Sequence, residues 1–229
     1  MKQIISCAVI AIGLIVLGLF IYCGFNSFAN KDRQVVVKGL AEKEVMANKV
    51  TWPLVVKTVG NDLQQVYARV TDNNSTVIDF LTKNGISADE ISLGAPTVWD
   101  KDAQTYRTDV PYRYNVTQVI TVTSSKVESV NNLIRRQGDL LKLGVALSTD
   151  YQYSTTYEYT QLNEIKPAMI AEVTKNAREA ANKFAEDSHS QLGNIKQATQ
   201  GQFTISDRDA YTPWIKNIRV VTTIAYALN

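Results

Sequence analysis

The amino-terminal thirty residues constrain the fold more than any other feature of this sequence. There is no charged side chain from Gln3 to Asn30, and residues 4–21 are almost wholly apolar. A charged side chain at the centre of a bilayer costs about 2.5–3.5 kcal/mol on insertion scales, so an uncharged apolar run of about 18 residues is typical of a segment that lies in lipid. We therefore predict a transmembrane helix within residues 1–30 and a soluble domain over residues 31–229.

A cleaved signal peptide is the alternative for this leader. Ser27-Phe28-Ala29 is an acceptable cleavage site, but the apolar core of a signal peptide has about 7–15 residues, and this run is longer. An uncleaved anchor therefore explains the leader better than cleavage near Ala29. Lys2 precedes the run and Lys31 and Arg33 follow it, which would point the domain inward. Because long domains translocate largely regardless of charge, we expect it on the outer side.

Charge and cysteine content exclude several classes of function for the soluble domain. The chain has 24 basic and 22 acidic residues and a net charge of +2, so no strong field attracts nucleic acid. Both cysteines, Cys7 and Cys23, lie in the leader. The soluble domain consequently has no thiol for a disulfide, a metal or covalent catalysis.

Hydrophobic periodicity after residue 31 predicts an α+β fold in which antiparallel sheets are covered by helices on one face. Pro53 cannot donate to a β-ladder, so its strand should be an edge strand or be bulged there. Gly39 should mark a bulge or a close approach of another element. The predicted strands are residues 34–45, 50–59, 91–98, 113–123, 151–160, 195–205 and 218–228, and the predicted helices are residues 63–84, 125–141 and 163–192.

The predicted helices have recognisable ends. Asn61 or Asp62 should cap the first helix, and Gly85 should end it in a left-handed conformation. Ser124 or Ser125 should cap the second helix, which should be irregular near Gly138 because glycine weakens helices. Gly193-Asn194 should stop the third, whose apolar stripe is Met169, Val173, Ala177, Ala180, Phe184 and Leu192, widened by Ala181 and Ala185.

The order and spacing of several motifs resemble the SIMPL-domain family, bacterial exported or envelope proteins named after a mammalian member that associates with a receptor-linked kinase. The resemblance covers nearly all of the chain after Lys31, although Asn48-Lys49 replaces the family's common Pro-Asp turn. It implies a periplasmic α+β domain that self-associates and has no established enzymatic activity. The motifs are Val35-x-Val37-x-Gly39-x-Ala41, Leu81-x-x-x-Gly85-Ile86, Glu90-Ile91-Ser92 and Leu192-Gly193.

Polar side chains that could bind a metal or catalyse a reaction are sparse. His189 is the single histidine, and near the end of a helix its charge is favourable without any catalytic role. Asp100, Asp102 and Asp109 share a loop but lack the glycine and glutamate of an EF-hand. A solvated loop therefore explains these acidic residues better than a calcium site, and the same holds for Asp207-Arg208-Asp209. We therefore predict no catalytic residue, no metal site and no cofactor.

Four tyrosines form the strongest candidate for a binding surface. Tyr151, Tyr153, Tyr157 and Tyr159 are all odd-numbered, so in an unbulged strand they share one face. They either pack beneath a helix or form an exposed aromatic strip for self-association, an envelope protein or a glycan. Four further aromatic residues would enlarge either the packed cluster or the exposed strip: Trp99, Tyr106, Tyr112 and Tyr114.

These observations favour a non-catalytic protein that is anchored in the bacterial inner membrane by residues 4–21, with its soluble domain in the periplasm. It would act by binding and homo-oligomerisation. The alternative is a cell-envelope enzyme with paired carboxylates such as Glu158, Glu164 or Asp109. That alternative requires two carboxylates in one cleft with separated pKa values.

Overall fold

A computed structural model describes residues 12–22, 24, 33–103 and 111–229. Residues 12–22 form a helix, α1, whose side chains are exposed. No helix within the described ranges is long and apolar enough to cross a membrane. The predicted span over residues 4–21 therefore lies partly outside the described residues, and the alternative cleavage site near Ala29 lies wholly outside them.

The predicted soluble domain contains two compact units. Unit 1 comprises residues up to 43, 163–204 and 218–229, and unit 2 comprises residues 44–162 and 205–217. The elements after α1 are β1 (Gln34–Met46), β2 (Lys49–Gly60), α2 (Leu63–Lys83), β3 (Ile91–Leu93), β4 (Thr97–Asp100), β5 (Tyr114–Ser124), α3 (Val127–Arg135), α4 (Asp139–Lys142), β6 (Thr156–Glu158), α5 (Leu162–Asp187), β7 (Leu192–Gln200), β8 (Thr204–Asp207) and β9 (Ile215–Leu228), with short 3₁₀ turns at Ala88–Glu90 and Lys101–Ala103.

Unit 2 is built on an antiparallel sheet with the order β3-β5-β2-β6, in which β4 also pairs with β5. The even-numbered residues of β2 from Val50 to Val56 pack with Ile120 and Val122 of β5 and with apolar side chains of α2, α3 and α4. These helices therefore cover one face of the sheet. The predicted α+β class with helices on one face is confirmed for this unit.

Strand β2 pairs with β5 in continuous register from Val50 opposite Ser124 to Gly60 opposite Tyr114. The ladder has no bulge at Pro53, which lies opposite Thr121. On its other side β2 pairs with β6 only over residues 49–51. The edge alternative predicted for Pro53 is therefore the correct one, because proline lies where that side of β2 is unpaired.

Helix α2 begins and ends as predicted. The Asp62 carboxylate accepts hydrogen bonds from the backbone N–H groups of Gln64 and Gln65 at 2.8 and 3.0 Å, which satisfies two donors of the first turn. The helix ends at Lys83 with Asn84 as its C-cap, and Gly85 has φ of +91°. Local sequence chemistry therefore determines both ends.

Two predicted elements of unit 2 are interrupted or start differently. The strand predicted over residues 91–98 is divided into β3 and β4 by Gly94-Ala95-Pro96, where proline removes a donor. Neither Ser124 nor Ser125 is the cap of α3, which begins after Lys126 without a side-chain cap. The Ser124 hydroxyl instead donates to Glu90 at 2.6 Å. The predicted irregularity at Gly138 is confirmed, since it separates α3 from α4.

Unit 1 places α5 against a sheet with the order β1-β9-β7. A Cβ atom on Gly39 of β1 would lie 2.1 Å from the Val173 carbonyl oxygen, so the close approach predicted for this glycine is confirmed. The buried apolar stripe of α5 is narrower than predicted, because Phe184, which was expected in it, is 59% exposed. The buried residues of α5 follow a strict i, i+4 spacing: Met169, Val173, Ala177, Ala181 and Ala185.

Helix α5 ends at Asp187, before the predicted stop at Gly193, and Leu192 already belongs to β7. The backbone N–H groups of His189 and Ser190 donate to the carbonyls of Glu186 and Ala185 at 3.0 and 2.9 Å. This is the bonding of a Schellman motif. The helix ends there because His189 adopts φ of +52°, and the histidine therefore lies beyond the last helical residue.

Candidate functional site

The predicted tyrosine strand is wrong over most of its length. Only Thr156–Glu158 form a strand, β6, whereas residues 151–153 form a turn. Asp150 makes this turn: its carbonyl accepts from the Tyr153 N–H at 3.0 Å and its carboxylate from the Gln152 N–H at 3.2 Å. Side chains of aspartate favour such turns over strand ladders. The four tyrosines consequently do not share one strand face.

Tyr157 is structural in unit 2. Its hydroxyl donates to the Asn131 side chain of α3, and its ring meets Trp214 edge-on at a centroid distance of 6.2 Å. Burial raises the pKa of Tyr157, with a smaller opposing effect of Arg135. Of the other tyrosines, Tyr159 is half-buried and lies just beyond β6.

Tyr151 and Tyr153 instead line a groove beside β2. Residues 148–155 leave the edge of β2 and return to it, and we call this segment the handle. At one end the Ser148 N–H donates to the Val55 carbonyl at 2.7 Å. At the other end Thr156 pairs with Thr51. Because both ends are fixed on one strand edge, the handle encloses a groove of about 340 Å³, which we call the handle groove.

Pro53 lies at the centre of the floor of the handle groove. The floor is residues 52–55 of β2, and Ile134 of α3 and Gln137 close one side. In a strand, the N–H and C=O groups of alternate residues point to the same edge. Because the Val55 carbonyl faces the handle, the backbone of Pro53 also faces it. Proline has no N–H, so this part of the floor presents an acceptor without an unsatisfied donor.

Charge in the handle groove is low. Its lining, in the described part of the chain, includes Asp150 and no cationic side chain. The Asp150 carboxylate lies 3.6 Å from the Lys57 ammonium group. The handle contributes hydroxyl groups and the Tyr151 side chain, which is fully exposed, and β2 and α3 contribute apolar residues. The groove is therefore suited to an uncharged polar ligand with an apolar face.

The acidic loops are held by basic side chains. The Arg113 guanidinium lies 2.8 Å from Asp100 and 3.2 Å from Asp102, and Arg113 lowers the pKa of Asp100 chiefly by hydrogen bonding. Asp109, also part of the enzyme alternative, and Tyr106 lie outside the described residues. Among the residues that are described, no three histidine, cysteine or acidic side chains are placed to hold a metal ion.

The second acidic turn is an ordered hairpin connection in unit 2. The Asp209 carboxylate accepts hydrogen bonds from the backbone N–H groups of Tyr211 and Thr212 at 2.8 and 2.7 Å. Hydrogen bonds from the Thr212 hydroxyl and the Arg208 guanidinium lower the pKa of Asp209 to about 2. The arrangement fixes the turn while leaving Tyr211 88% exposed.

The two described carboxylates of the enzyme alternative are assigned to different units. Glu158 belongs to unit 2 and Glu164 to unit 1. The Glu158 carboxylate lies 3.2 Å from the Lys49 ammonium group and is 51% exposed. A general acid normally depends on a buried environment that disfavours its charge, which Glu158 lacks.

The tyrosines could be selected as candidates from the sequence, but the groove could not be predicted from it. Pro53 was expected to lie in an edge strand or at a bulge, and no local pattern connected it to the later segment that passes beside it. The cluster Ser148-Thr149-Asp150 was an available signal, because such residues favour turns.

The family model of SIMPL, a protein of unknown function (DUF541), matches residues 35–214. The chain belongs to the SIMPL family. This confirms the resemblance and leaves the biochemical function open, since the family is described as of unknown function. The match includes the handle and the floor of the handle groove. No curated protein matches the chain significantly.

Proposed function

We propose that this SIMPL protein is a non-catalytic binding protein of the bacterial cell envelope. An N-terminal anchor holds it in the inner membrane, its soluble region lies in the periplasm, and it acts as a homo-oligomer. The observation that carries the proposal is the handle groove, a preformed concave site in unit 2 with an exposed aromatic side chain at its rim. Small-molecule sites are typically concave, preformed and lined by few polar groups.

The leader supports the anchor. Residues 4–21 carry no charge, so their insertion in lipid meets none of the large penalty that a charged side chain causes. If the leader were cleaved near Ala29, the same soluble region would be released into the periplasm. The two forms differ in mass and in their partition between membrane and soluble fractions.

Exposed apolar side chains along β3 and β4 support self-association. Leu93, Val98 and Trp99 are 53, 50 and 58% exposed, and Tyr112, which lies just before β5, is 45% exposed. β3 and β4 both pair with β5 and, within the described strands, with no strand on their other side. An apolar free edge is a site at which sheets of separate molecules associate. We therefore assign the homo-oligomer contact to this edge.

The decisive measurement is the mass of the native protein extracted in detergent, by intact mass spectrometry and multi-angle light scattering. We expect the full-length chain in a particle of several subunits that fractionates with the membrane. Trp99→Ser should lower the particle mass, and Tyr67→Ser, which changes an exposed tyrosine of α2, should leave it unchanged. A soluble cytoplasmic monomer would overturn the proposal.

A further inference from the structure

We infer that the handle groove binds a neutral saccharide of one or two sugar units. This inference rests on the proposed binding function and names the ligand of that site. Four properties of the groove carry it: its volume, its interrupted strand edge, its exposed aromatic ring and its lack of cationic side chains.

The dimensions of the groove exclude an extended peptide. The handle is fixed to β2 at Thr51 and Val55, so the open edge between these residues is about 13 Å long at roughly 3.3 Å per residue. A peptide that adds a strand depends on a row of main-chain hydrogen bonds. Here Pro53 removes the central donor. A volume of about 340 Å³ lies at the low end of the range of small-molecule sites, roughly 300–1,000 Å³.

The polar groups of the groove favour a ligand that carries many hydroxyl groups. The Pro53 carbonyl faces the handle and can accept a hydrogen bond. The hydroxyls of Ser148, Thr149 and Ser154, which line the groove, can donate or accept. Sugar hydroxyl groups complement both kinds of partner. The described part of the lining contains no cationic side chain, and the neighbouring Lys57 ammonium group is paired with Asp150, so a phosphate or carboxylate ligand would lose its hydration without an unpaired positive charge to compensate.

Tyr151 provides the apolar contact. Its side chain is fully exposed at the rim, while the backbone beneath it is held by the turn at Asp150. A tyrosine offers a large, rigid contact surface at low cost in conformational entropy. The carbon-bound hydrogens of a sugar ring form a flat apolar face that can pack on such a ring.

The experiment uses the full-length protein in detergent, labelled with 5-fluorotryptophan. The chain has three tryptophans, of which Trp52 lines the groove and Trp99 does not. Cellobiose, maltose and di-N-acetylchitobiose are titrated separately to about 20 mM, a range that detects millimolar dissociation constants. The Trp52 fluorine signal, assigned with Trp52→Phe, should shift with at least one saccharide while the Trp99 signal stays fixed.

Matched variants then test the role of the ring. Tyr151→Ala should weaken the saccharide about 3–10-fold, the range expected for loss of one aromatic contact. Tyr211→Ala removes another strongly exposed tyrosine of the same unit, 88% exposed, that does not line the groove, and it should leave binding unchanged. Circular dichroism of both variants verifies folding.

Two results would overturn the inference. The first is no shift of the Trp52 signal with any of the three saccharides, whether or not an extended alanine-rich peptide shifts it. The second is equal saccharide affinity in Tyr151→Ala and the unchanged protein. Neither result would alter the particle mass or the membrane fractionation, so failure of the saccharide inference remains distinct from failure of the proposed assembly.

Discussion

Gly39→Ala should destabilise unit 1 because the added methyl group has no space between β1 and α5. The new Cβ atom would lie 2.1 Å from the Val173 carbonyl oxygen and 2.9 Å from the Ala177 Cβ atom. The first of these neighbours is helix backbone, which cannot rotate away as a side chain can. The helix must therefore retreat by about 1 Å to reach the 3.0 Å below which real Cβ contacts essentially never occur.

The retreat sets the magnitude of the effect. A gap of about 0.5–1 Å removes roughly a quarter to a half of each dispersion contact across an interface, and Val173, Ala177 and Ala181 are fully buried in it. Overpacking typically costs about 1–3 kcal/mol, whereas replacement of glycine stabilises by about 0.4–1 kcal/mol through the unfolded chain. Because the clash is with helix backbone, the cost of overpacking should dominate, and we expect the free energy of unfolding to fall by about 2 kcal/mol.

Urea denaturation of the variant and the unchanged protein measures this loss, and thermal unfolding should show a decrease of about 4–8 °C. Gly138→Ala is the matched control. Gly138 has helical φ and ψ of −59° and −18° and no atom within 4 Å of an added Cβ, so alanine there should be neutral or stabilising. If the unfolding free energy of Gly39→Ala lies within about 0.5 kcal/mol of that of the unchanged protein, the close approach of α5 to β1 is refuted.

Three further predictions concern the end of α5 and the hairpin turn of unit 2. His189→Gly should stabilise the protein in urea denaturation by about 0.5–1 kcal/mol, because glycine adopts the observed left-handed conformation without strain, and His189→Ala should give no such gain. The pKa of Asp209 is lowered to about 2, chiefly by the hydrogen bond from the Thr212 hydroxyl. The stabilisation by its carboxylate is therefore complete above the unfolded pKa of 3.8 and is lost as the pH falls towards 2. The difference in unfolding free energy between the unchanged protein and Asp209→Asn should disappear over that pH window, and a difference that stays constant would contradict the lowered pKa. Asp207→Asn should destabilise by about 1–3 kcal/mol, because it leaves the ammonium group of Lys216, whose side chain is 8% exposed, without its carboxylate; Lys216→Met, which removes that charge, should cost less, and the reverse order in urea denaturation would exclude this explanation.

The sequence predicted which kind of residue lines the candidate site but not how these residues are arranged in space. Tyr151 and Tyr153 were selected because their spacing fits one face of a strand, but the turn at Asp150 redirects them to the handle groove. Periodicity cannot anticipate this, because residues with turn chemistry and residues with strand chemistry alternate over 148–160. The partner of the tyrosines, Pro53, lies about a hundred residues earlier in the sequence, and no local pattern joins the two.

The sequence by itself determined the features that depend on neighbours along the chain. Asp62 caps α2 and Gly85 ends it because both act on backbone groups within a few residues. The tertiary structure alone decided which alanines face Gly39 and that β2 and the handle enclose a groove. These features depend on which backbone groups are brought together by packing, and hydrogen bonds between distant segments leave no periodic mark in the sequence.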